Sequence, residues 1–295
     1  MTLHFKRIGI FGRVRTESVK ETFLALINYL LKLQLEIVIE EETADDNNPH
    51  NLPVVPREQL GSHCDLLIVV GGDGSLLHAS HAAVNQNLPV LGINRGSLGF
   101  LTDILPTQLE QIGEILKGKY IREERFLLSC HAQLHDQSMG QDNALNEVAL
   151  IPDAIPHMLE FEIYVDDEFV CSQDSDGLII ATPTGSTAYA LSGGGPILHP
   201  QLDAIVLVPM FPHSLSSRPI VIEGNRKINI IITPNNLTSP RVSCDGRAYI
   251  STPPGSHITI RKKPELLNLI HPLSYNYYEA LRSKLHWGKK LQYQE

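Results

Sequence analysis

The chain has 295 residues, with 24 Lys and Arg against 33 Asp and Glu, so its formal net charge is −9. Proteins that bind nucleic acids carry clustered basic charge, and this balance argues against that class. Hydrophobic residues make up 42% of the chain and charged residues 19%, which argues against an intrinsically disordered protein. The length predicts two domains, each large enough to bury a hydrophobic core.

Neither the N-terminus nor the cysteines indicate export, a membrane anchor or a structural metal. The N-terminal segment lacks the apolar core of about 7 to 15 residues that a signal peptide needs. No segment approaches the roughly 18 consecutive apolar residues of a membrane helix. The four cysteines lie more than 40 residues apart, without CxxC or HExxH spacing; they are Cys64, Cys130, Cys171 and Cys244. We expect buried thiols in the reducing cytoplasm and no zinc-type site.

The first hundred residues predict alternating strands and helices. Strands are expected at 7–12, 35–40, 65–70 and 89–93, with helices beginning after Thr16 and covering 75–86. The strand at 65–70 is continuously apolar, which is typical of a strand buried on both faces of a parallel sheet. This order indicates βαβ units and an N-terminal α/β domain with a parallel sheet.

After about residue 103 the pattern becomes that of a β-rich domain. A helix is expected at 106–117, and short strands at 161–165, 169–171, 178–181, 205–208, 228–233 and 258–261. Asp166 and Asp167 turn the chain between the first two of these strands. Short strands separated by turn signals predict a β-sandwich-like C-terminal domain, followed by a last helix at 277–285.

A glycine-rich segment, Gly71-Gly72-Asp73-Gly74-Ser75, joins the buried strand at 65–70 to the next helix. Open α/β sheets bind ligands beyond the carboxyl ends of their strands, and the glycines let a phosphate approach the backbone amides. The Asp73 carboxylate can accept a hydroxyl proton or hold a metal that bridges to phosphates. The alternative is a tight turn in which Asp73 only caps the helix.

This segment matches neither of the two commonest nucleotide-binding loops. A P-loop needs a lysine beside its last hydroxyl residue, and no lysine lies near Ser75. The GxGxxG fingerprint of dinucleotide-binding folds is also missing, since Gly9 and Gly12 provide only a partial match after the first strand.

A second candidate loop begins TPTGSTAY at Thr182 and continues through Ser192 to three glycines. Five hydroxyl side chains and one tyrosine lie within Thr182–Ser192, between two apolar strands. A flexible linker would have polar flanks, so we expect an ordered loop that binds a ligand rich in amide and hydroxyl groups. Tyr189 offers that ligand a stacking surface. The alternative is an elaborate structural turn.

Asn146 and Glu147 form a polar pair within an otherwise apolar segment. Adjacent strand residues point to opposite faces, so at most one of the two should face solvent while the other is buried or bound to a ligand. The amide can pair with an adenine edge, and the carboxylate can accept ribose hydroxyls. A polar pair on an edge strand explains the pattern equally well.

GGDGS at 71–75, NE at 146–147 and TPTGSTAY at 182–189 have the order and spacing found in NAD kinases, and the chain resembles a bacterial member of that family. The segments 93–96, 99–103 and 175–178 look like further parts of the family sequence, so the resemblance covers essentially the whole chain. GGDG alone is less specific, because diacylglycerol kinases and 6-phosphofructokinases carry similar signatures.

The resemblance implies that ATP phosphorylates the 2′-hydroxyl of the adenosine ribose of NAD to form NADP. It implies a divalent cation, Mg²⁺, that is held mainly by the substrate phosphates rather than by protein ligands. It also implies an α/β domain at 1–102, completed by about 272–295, and a β-rich NAD-binding domain at 103–271. The expected assembly is a cytoplasmic homodimer or homotetramer without nucleic-acid or membrane partners.

The resemblance also assigns roles to individual residues. Asp73 would be the general base for the 2′-hydroxyl, and Gly71, Gly72 and Gly74 would contact the ATP phosphates. The residues that it assigns to NAD binding are Asp73, Gly74, Asn146, Glu147, His157, Asp174, Asp176, Thr187, Ala188, Tyr189, Ala190, Leu191, Ser192 and Arg247. Two positions depart from commoner family patterns: Ser75 replaces a threonine, and Asp174 is acidic where some relatives carry a basic residue.

Two other functions are compatible with parts of the sequence. A lipid or sugar kinase could use the same glycine loop, although the hydroxyl-rich loop with Tyr189 fits a dinucleotide better. A non-catalytic dinucleotide sensor would keep the loop at 182–192 but would have little use for Asp73 among glycines. Because a chain of net charge −9 must attract polyanions locally, through loop amides, Arg95, Arg247 and a metal ion, the sequence predicts metal dependence.

Overall fold

The computed structural model describes residues 3–12, 16–44, 48–94, 99–153 and 158–288. The chain forms two compact units. The first comprises Met1–Glu124 and Leu267–Glu295, and the second comprises Arg125–Leu266.

Helices and strands alternate in the first unit, whereas strands dominate the second. The helices within the described residues are α1 (Glu17–Lys32), α2 (Glu41–Ala44), α3 (Leu60–His63), α4 (Asp73–Asn85), α5 (Glu110–Leu116), α6 (Tyr189–Ser192) and α7 (Tyr277–Leu285). The strands are β1 (Arg7–Gly12), β2 (Glu36–Glu40), β3 (Val54–Val55), β4 (Leu66–Val70), β5 (Val90–Ile93), β6 (Ile121–Leu134), β7 (Gln137–Ala144), β8 (Glu147–Ile151), β9 (Leu159–Val165), β10 (Glu168–Ser175), β11 (Gly177–Ala181), β12 (Ala204–Met210), β13 (Ile220–Glu223), β14 (Ile228–Ile232), β15 (Arg241–Cys244), β16 (Ala248–Ser251) and β17 (His257–His271). None of these described helices has the length and apolar character that a membrane crossing requires.

The first unit contains a parallel sheet in the order β3-β2-β1-β4-β5. Leu269, near the end of β17, pairs with Val90 of β5 in the same direction. The predicted parallel α/β domain and the predicted return of the C-terminal segment to it are therefore confirmed. β4 is buried along its whole length, as its uninterrupted apolar sequence predicts.

The strand order places the glycine-rich segment at the edge where such sheets bind ligands. β4 and β2 lie on opposite sides of β1, so the order reverses between β1 and β4. A reversal of this kind opens a crevice at the carboxyl ends of the strands. The segment 71–75 follows β4 directly, and α4 begins at Asp73, two residues earlier than predicted. The helix starts there because the amides of Ser75 and Leu76 both donate to the carbonyl oxygen of Gly72.

The two units divide the chain at other positions than the expected domain bounds of 1–102 with 272–295 and 103–271. Residues 103–124 belong to the first unit rather than the second, because α5 buries Ile112, Ile115 and Leu116 in the same core as α1 and β1. At the other end, Ile270 of β17 enters that core as well. The pattern of apolar residues shows where alternating strands and helices give way to successive short strands. It does not show which of the two cores an amphipathic helix joins.

The second unit is a sandwich of two antiparallel sheets, as predicted. One sheet has the order β10-β9-β14-β17, where β17 also pairs with β6 and β6 with β7. The other has the order β13-β12-β11-β8-β15-β16. Apolar side chains of both sheets form one core, which includes Phe161 and Ile230 from the first sheet and Val148 and Leu207 from the second.

The hydroxyl-rich loop is positioned by β11, which is buried on both faces. Alternate residues of this strand enter the sandwich core, and the others, Ile179 and Ala181, pack on the outer face against Ala190 and Leu198. The segment 182–198 therefore covers the outer face of the sheet from which it emerges. A strand that is covered on both sides is continuously apolar for the same reason as in a parallel sheet.

Sequence patterning located the apolar strands but missed those of mixed or short sequence. The strands that were not predicted are β3, β6, β7, β13, β15 and β16. β7 has no apolar alternation, and its antiparallel pairing with β6 is what makes it a strand. Strand formation there depends on a neighbour rather than on local preference.

The cysteines are free thiols, of which Cys64, Cys130 and Cys244 are buried as expected. The expectation is wrong for Cys171, which is only half-buried because it lies on the edge strand β10. Burial raises the pKa of the Cys64 thiol to about 12, so this group stays protonated and unreactive at neutral pH.

A buried ion cluster fixes the C-terminal segment within the first unit. The Nδ1 atom of His271 lies 2.9 Å from Oδ2 of Asp103, and its Nε2 atom lies 3.2 Å from Oε2 of Glu123. All three side chains are buried, and the ring of Tyr275 stacks on the imidazole. Burial alone would lower the pKa of His271, but the two carboxylates outweigh it, so the pKa is raised.

We expect the stabilising contribution of His271 to be complete below about pH 6.5, the ordinary histidine pKa, and to disappear as the pH rises through the raised pKa of the folded protein. His271→Gln removes this titration. The wild-type protein should therefore have a higher free energy of unfolding than the variant, and this difference should be larger at about pH 6 than at about pH 9. Urea unfolding at the two pH values measures it. His257→Gln, at an exposed position of β17, serves as the control. An equal difference at both pH values would contradict the assignment.

Candidate functional site

The candidate residues fall into two groups, one in each unit. The glycine-rich segment 71–75 belongs to the first unit, and the segments 146–147, 174–176 and 187–192 belong to the second together with Arg247. His157 and Arg95 lie outside the described residues.

The glycines of the first group differ in what they do. Gly71 has a φ of +154°, and a Cβ there would overlap the side chain of Ser75, so the turn itself requires glycine. Apart from their chain neighbours and the backbone of α4, none of the described atoms lies within 4 Å of the place where a Cβ would stand at Gly72 or Gly74. These two glycines therefore leave open space beside the backbone at the N-terminus of α4. A small anion fits such a space, because the first amides of a helix have no partner within the helix.

Asp73 stands in the first turn of α4, and a segment that follows β5 holds its carboxylate. The amide of Leu101 donates to Oδ1 and the amide of Phe100 donates to Oδ2, both at 3.0 Å. The hydroxyl of Thr102 lies 3.1 Å from Oδ1. Asp73 is thus more than a helix cap, since its carboxylate accepts hydrogen bonds from a segment that lies 27 to 29 positions further along the chain.

Three residues around Asp73 were missed as site residues by the sequence analysis: Asn94, Gly99 and Thr102. The side-chain amide of Asn94 donates to the Thr102 hydroxyl at 2.8 Å, and both residues are buried. A Cβ at Gly99 would overlap Asp73 and Thr102 and crowd Asn94. The segments 93–96 and 99–103 carried a signal as family sequence, but nothing in the sequence indicates that their side chains meet Asp73.

In the second unit, Asp245 organises the segment that contains Asn146 and Glu147. Its carboxylate accepts hydrogen bonds from three successive backbone amides, those of residues 145, 146 and 147, at 2.8–3.1 Å. Asn146 lies in a bend between β7 and β8, and Glu147 is the first residue of β8. Asp245 was also missed, because an Asp-Gly turn predicts only a local change of direction.

The hydroxyl-rich loop packs directly against this segment. The amide of Thr182 donates to the carbonyl oxygen of Asn146 at 2.9 Å. A Cβ at Gly185 would overlap the Asn146 backbone, so glycine is required for this close approach. Within the same unit, the buried Arg125 donates to the Thr184 hydroxyl at 3.1 Å and so holds the start of the loop in place.

Glu147 carries the most perturbed carboxyl group of the site. Its side chain is buried, and it receives a hydrogen bond from the Tyr189 amide. Its Oε2 atom accepts no hydrogen bond from the part of the protein that the structure describes. Burial raises the pKa of the Glu147 carboxyl to about 7, and the nearby Asp245 charge acts in the same direction. Buried polar atoms without a hydrogen-bond partner are rare in folded proteins, so this oxygen is a candidate acceptor for a ligand hydroxyl.

A cavity of about 460 Å³ opens beside Tyr189. Ser192, Gly193, Met210 and Phe211 also line it, and Tyr189 and Phe211 are exposed. Its volume lies within the range of roughly 300 to 1,000 Å³ that is usual for small-molecule sites. The amide of Asp176 donates to the Met210 carbonyl oxygen, which places Asp176 next to the cavity wall.

Two candidates of the second unit are less closely connected. Arg247 lies 3.3 Å from the carboxylate of Asp142 and donates to the Asn143 carbonyl oxygen. The Asp174 side chain is exposed on β10. Within the described ranges, no hydrogen bond or ion pair joins it to another candidate residue. The structure thus brings together Asn146, Glu147 and Tyr189, but not Asp174.

Comparison with known families identifies both halves of the chain. Residues 8–123 match the family model of the ATP-NAD kinase N-terminal domain, and residues 145–272 match that of the ATP-NAD kinase C-terminal domain. An NAD kinase of Pseudomonas syringae pv. syringae is 54% identical over 288 residues, with 97% of each chain covered. An NAD kinase of Pseudomonas entomophila is 53% identical over the same length and coverage.

Two solved structures share the fold. The crystal structure of yeast NADH kinase complexed with NADH has a TM-score of 0.87 and 26% identity, covering 98% of this chain and 90% of that one. An NAD kinase from Archaeoglobus fulgidus in complex with ATP has a TM-score of 0.71 and 28% identity, covering 94% of this chain and 99% of that one. Since both family models match and relatives more than half identical cover nearly all of the sequence, the chain belongs to the NAD kinase family of phosphotransferases.

Proposed function

We propose that the protein transfers the γ-phosphate of ATP to the 2′-hydroxyl of the adenosine ribose of NAD, which yields NADP and ADP. The observation that carries this proposal is the Asp73 carboxylate, which two backbone amides hold beside the open space of Gly72 and Gly74. Family membership supports the choice of substrates, as do a relative in complex with NADH and another in complex with ATP.

In the first unit, Asp73 acts as the general base. A ribose hydroxyl is not ionised at neutral pH, so a carboxylate within about 3 Å is needed to orient it and to accept its proton. The ATP phosphates approach Gly72 and Gly74, where the N-terminus of α4 favours negative charge. Apart from this proton transfer, phosphoryl transfer mainly requires that the protein position the two substrates and stabilise the charge on the phosphates.

In the second unit, the dinucleotide binds along the hydroxyl-rich loop. Glu147 offers Oε2, which has no hydrogen-bond partner among the described residues, to a ribose hydroxyl, and Asn146 offers its amide to the adenine edge. Tyr189 stacks on a ring of the dinucleotide at the mouth of the adjacent cavity. The residues Thr187, Ala188, Ala190, Leu191 and Ser192 line the same stretch, with Asp174, Asp176 and Arg247 as further contacts.

A divalent cation, Mg²⁺, is proposed as the cofactor. Within the described residues, no group of three His, Cys, Asp or Glu side chains is arranged to hold a metal ion. We propose that the cation is bound mainly by the substrate phosphates, where it neutralises their charge. A cytoplasmic location and a homodimer or homotetramer stay predictions of the family resemblance.

The proposed reaction is tested by incubating the protein with NAD, ATP and Mg²⁺ and coupling any NADP to an NADP-specific dehydrogenase. Formation of NADP supports the proposal. If no NADP forms while calorimetry shows NAD binding, the protein is a dinucleotide sensor instead.

Asp73→Asn should lower kcat by at least about 100-fold, because the amide cannot accept the hydroxyl proton. The variant should remain folded but lose some thermal stability, since an NH₂ group in place of a carboxylate oxygen leaves a backbone amide without its acceptor. The coupled assay and circular dichroism measure both effects. Asp167→Asn, in the exposed turn after β9, is the matched control and should keep wild-type kcat. Wild-type turnover in Asp73→Asn would overturn the assigned role.

Glu147→Gln should stabilise the free protein at about pH 8 by roughly 2 to 3 kcal/mol while weakening NAD binding. The folded pKa of about 7 lies above the ordinary value of 4.5. The contribution of the Glu147 carboxyl to stability is therefore complete below the pKa that it has in the unfolded chain. This contribution is lost as the pH rises through the higher pKa of the folded protein. Urea unfolding at about pH 5 and about pH 8 measures the change, with exposed Glu168→Gln as control. A variant without a gain at the higher pH would contradict the prediction.

An excess of chelator should abolish turnover, and added Mg²⁺ should restore it, because the net charge of −9 provides no general attraction for two polyanionic substrates. The coupled assay monitors turnover, and the coupling dehydrogenase is checked separately with authentic NADP under the same conditions. Undiminished NADP formation in the presence of chelator would show that the reaction does not need the cation.

A further inference from the structure

We propose that the Thr102 hydroxyl is a positioning group for catalysis, which saturates Oδ1 of Asp73 so that Oδ2 is the oxygen that takes the ribose proton. This inference rests on the role of Asp73 as general base. It assigns a function to a buried residue outside the three motifs, and it distinguishes the two oxygens of one carboxylate.

The two oxygens differ in their number of partners. Oδ1 accepts the amide of Leu101 at 3.0 Å and the hydroxyl of Thr102 at 3.1 Å. Oδ2 accepts the amide of Phe100 at 3.0 Å. A carboxylate oxygen offers about two lone-pair directions, so Oδ1 is filled, whereas Oδ2 accepts only one hydrogen bond from the described residues and keeps one direction for a further donor. The substrate hydroxyl is that donor.

The direction of the Thr102 hydroxyl follows from its other neighbour. Nδ2 of Asn94 lies 2.8 Å from Oγ1 of Thr102 and 3.2 Å from the Thr102 carbonyl oxygen. An amide oxygen in this place would face that carbonyl oxygen, so the nitrogen must occupy it, and a nitrogen of this kind can only donate. Because Oγ1 accepts from Asn94, the single proton of the Thr102 hydroxyl is directed to Asp73.

Packing protects this chain of hydrogen bonds. Thr102 and Asn94 are buried, and Gly99 lies so close that a Cβ there would overlap Asp73 and Thr102. Water therefore has little room to replace the hydroxyl as a donor to Oδ1. The carboxylate is held at one oxygen by a rigid side chain and at both oxygens by backbone amides.

The reaction then proceeds with a defined proton path. The 2′-hydroxyl gives its proton to Oδ2 of Asp73 while its oxygen forms a bond to the γ-phosphorus. The bond between that phosphorus and the β–γ bridging oxygen breaks, and ADP leaves with the electron pair. Asp73 later releases the proton to solvent. A carboxylate that could rotate would present either oxygen, and misplacement of a catalytic group by a fraction of an ångström slows the reaction.

The test compares three substitutions at one position. Thr102→Val keeps the shape but removes the hydroxyl, and it should lower kcat about tenfold with little change in the KM for NAD or ATP, as expected for a lost hydrogen bond to a charged group. Thr102→Ser should recover most of this loss. Thr102→Cys, which keeps a weak donor, should fall between the two and provides a second measurement if the valine variant does not fold.

Thr22→Val, a buried threonine of α1 in the same unit, controls for the general effect of this substitution and should keep wild-type kcat. Addition of Thr102→Val to Asp73→Asn should change the residual rate little, because the hydroxyl acts through the carboxylate. Wild-type kcat in Thr102→Val, or equal losses of kcat in the Val and Ser variants, would overturn the positioning role. If Asp73→Asn is inactive in the same assay, the role of Asp73 as general base is unaffected by that result. Wild-type kcat in Asp73→Asn would overturn the proposed base as well, so the two failures are distinguishable.

Discussion

Two aspartate carboxylates, one in each unit, organise the loops around them by collecting backbone N–H groups from distant parts of the sequence. Asp73 accepts the amides of residues 100 and 101, and Asp245 accepts those of residues 145–147. A buried N–H group without a partner costs free energy, and a hydrogen bond to a charged acceptor is stronger than one between neutral groups. Each aspartate therefore fixes a segment that has no regular structure of its own. The geometry of the glycine loop and of the Asn146–Glu147 pair depends on these two contacts.

The same contacts reconcile a net charge of −9 with ligands that are themselves anions. A carboxylate surrounded by amide donors is partly compensated, so Asp73 can stand beside phosphates at a smaller electrostatic cost than a solvated carboxylate would suggest. The field of distant surface charges is screened within about 8 Å at physiological ionic strength. The proposed affinity for polyanions therefore depends on contacts within a few ångströms, and the open backbone of Gly72 and Gly74 at the N-terminus of α4 is the candidate place for them.

Features that depend on local sequence could be predicted, whereas features that depend on distant partners could not. The uninterrupted apolar run of β4 and the glycines after it identify a buried strand with a ligand loop at its carboxyl end. The bounds of α7 follow from its own helical pattern. In contrast, Thr102 meets Asp73 across 29 positions, and Asp245 meets the amide of residue 145 across 100. Turn and strand preferences describe only residues that are neighbours along the chain. No pattern in a single sequence therefore predicts hydrogen bonds between such distant residues. β7 was missed for the same reason, since its pairing with β6 makes it a strand.

The number of partners on each oxygen distinguishes carboxylates that hold the structure from those that keep an unfilled acceptor direction among the described residues. Asp245 and Glu147 are neighbours of like charge, but Asp245 accepts three backbone amides while Oε2 of Glu147 accepts none from the described residues. Burial and the nearby Asp245 charge raise the pKa of the Glu147 carboxyl to about 7 despite the hydrogen bond from the Tyr189 amide, and a ligand that donates to Oε2 would favour the ionised form again. The same reasoning distinguishes Oδ1 of Asp73, which accepts two hydrogen bonds from the described residues, from Oδ2, which accepts one. A fold that satisfied every one of these oxygens would be more stable and would have no acceptor left for a substrate hydroxyl.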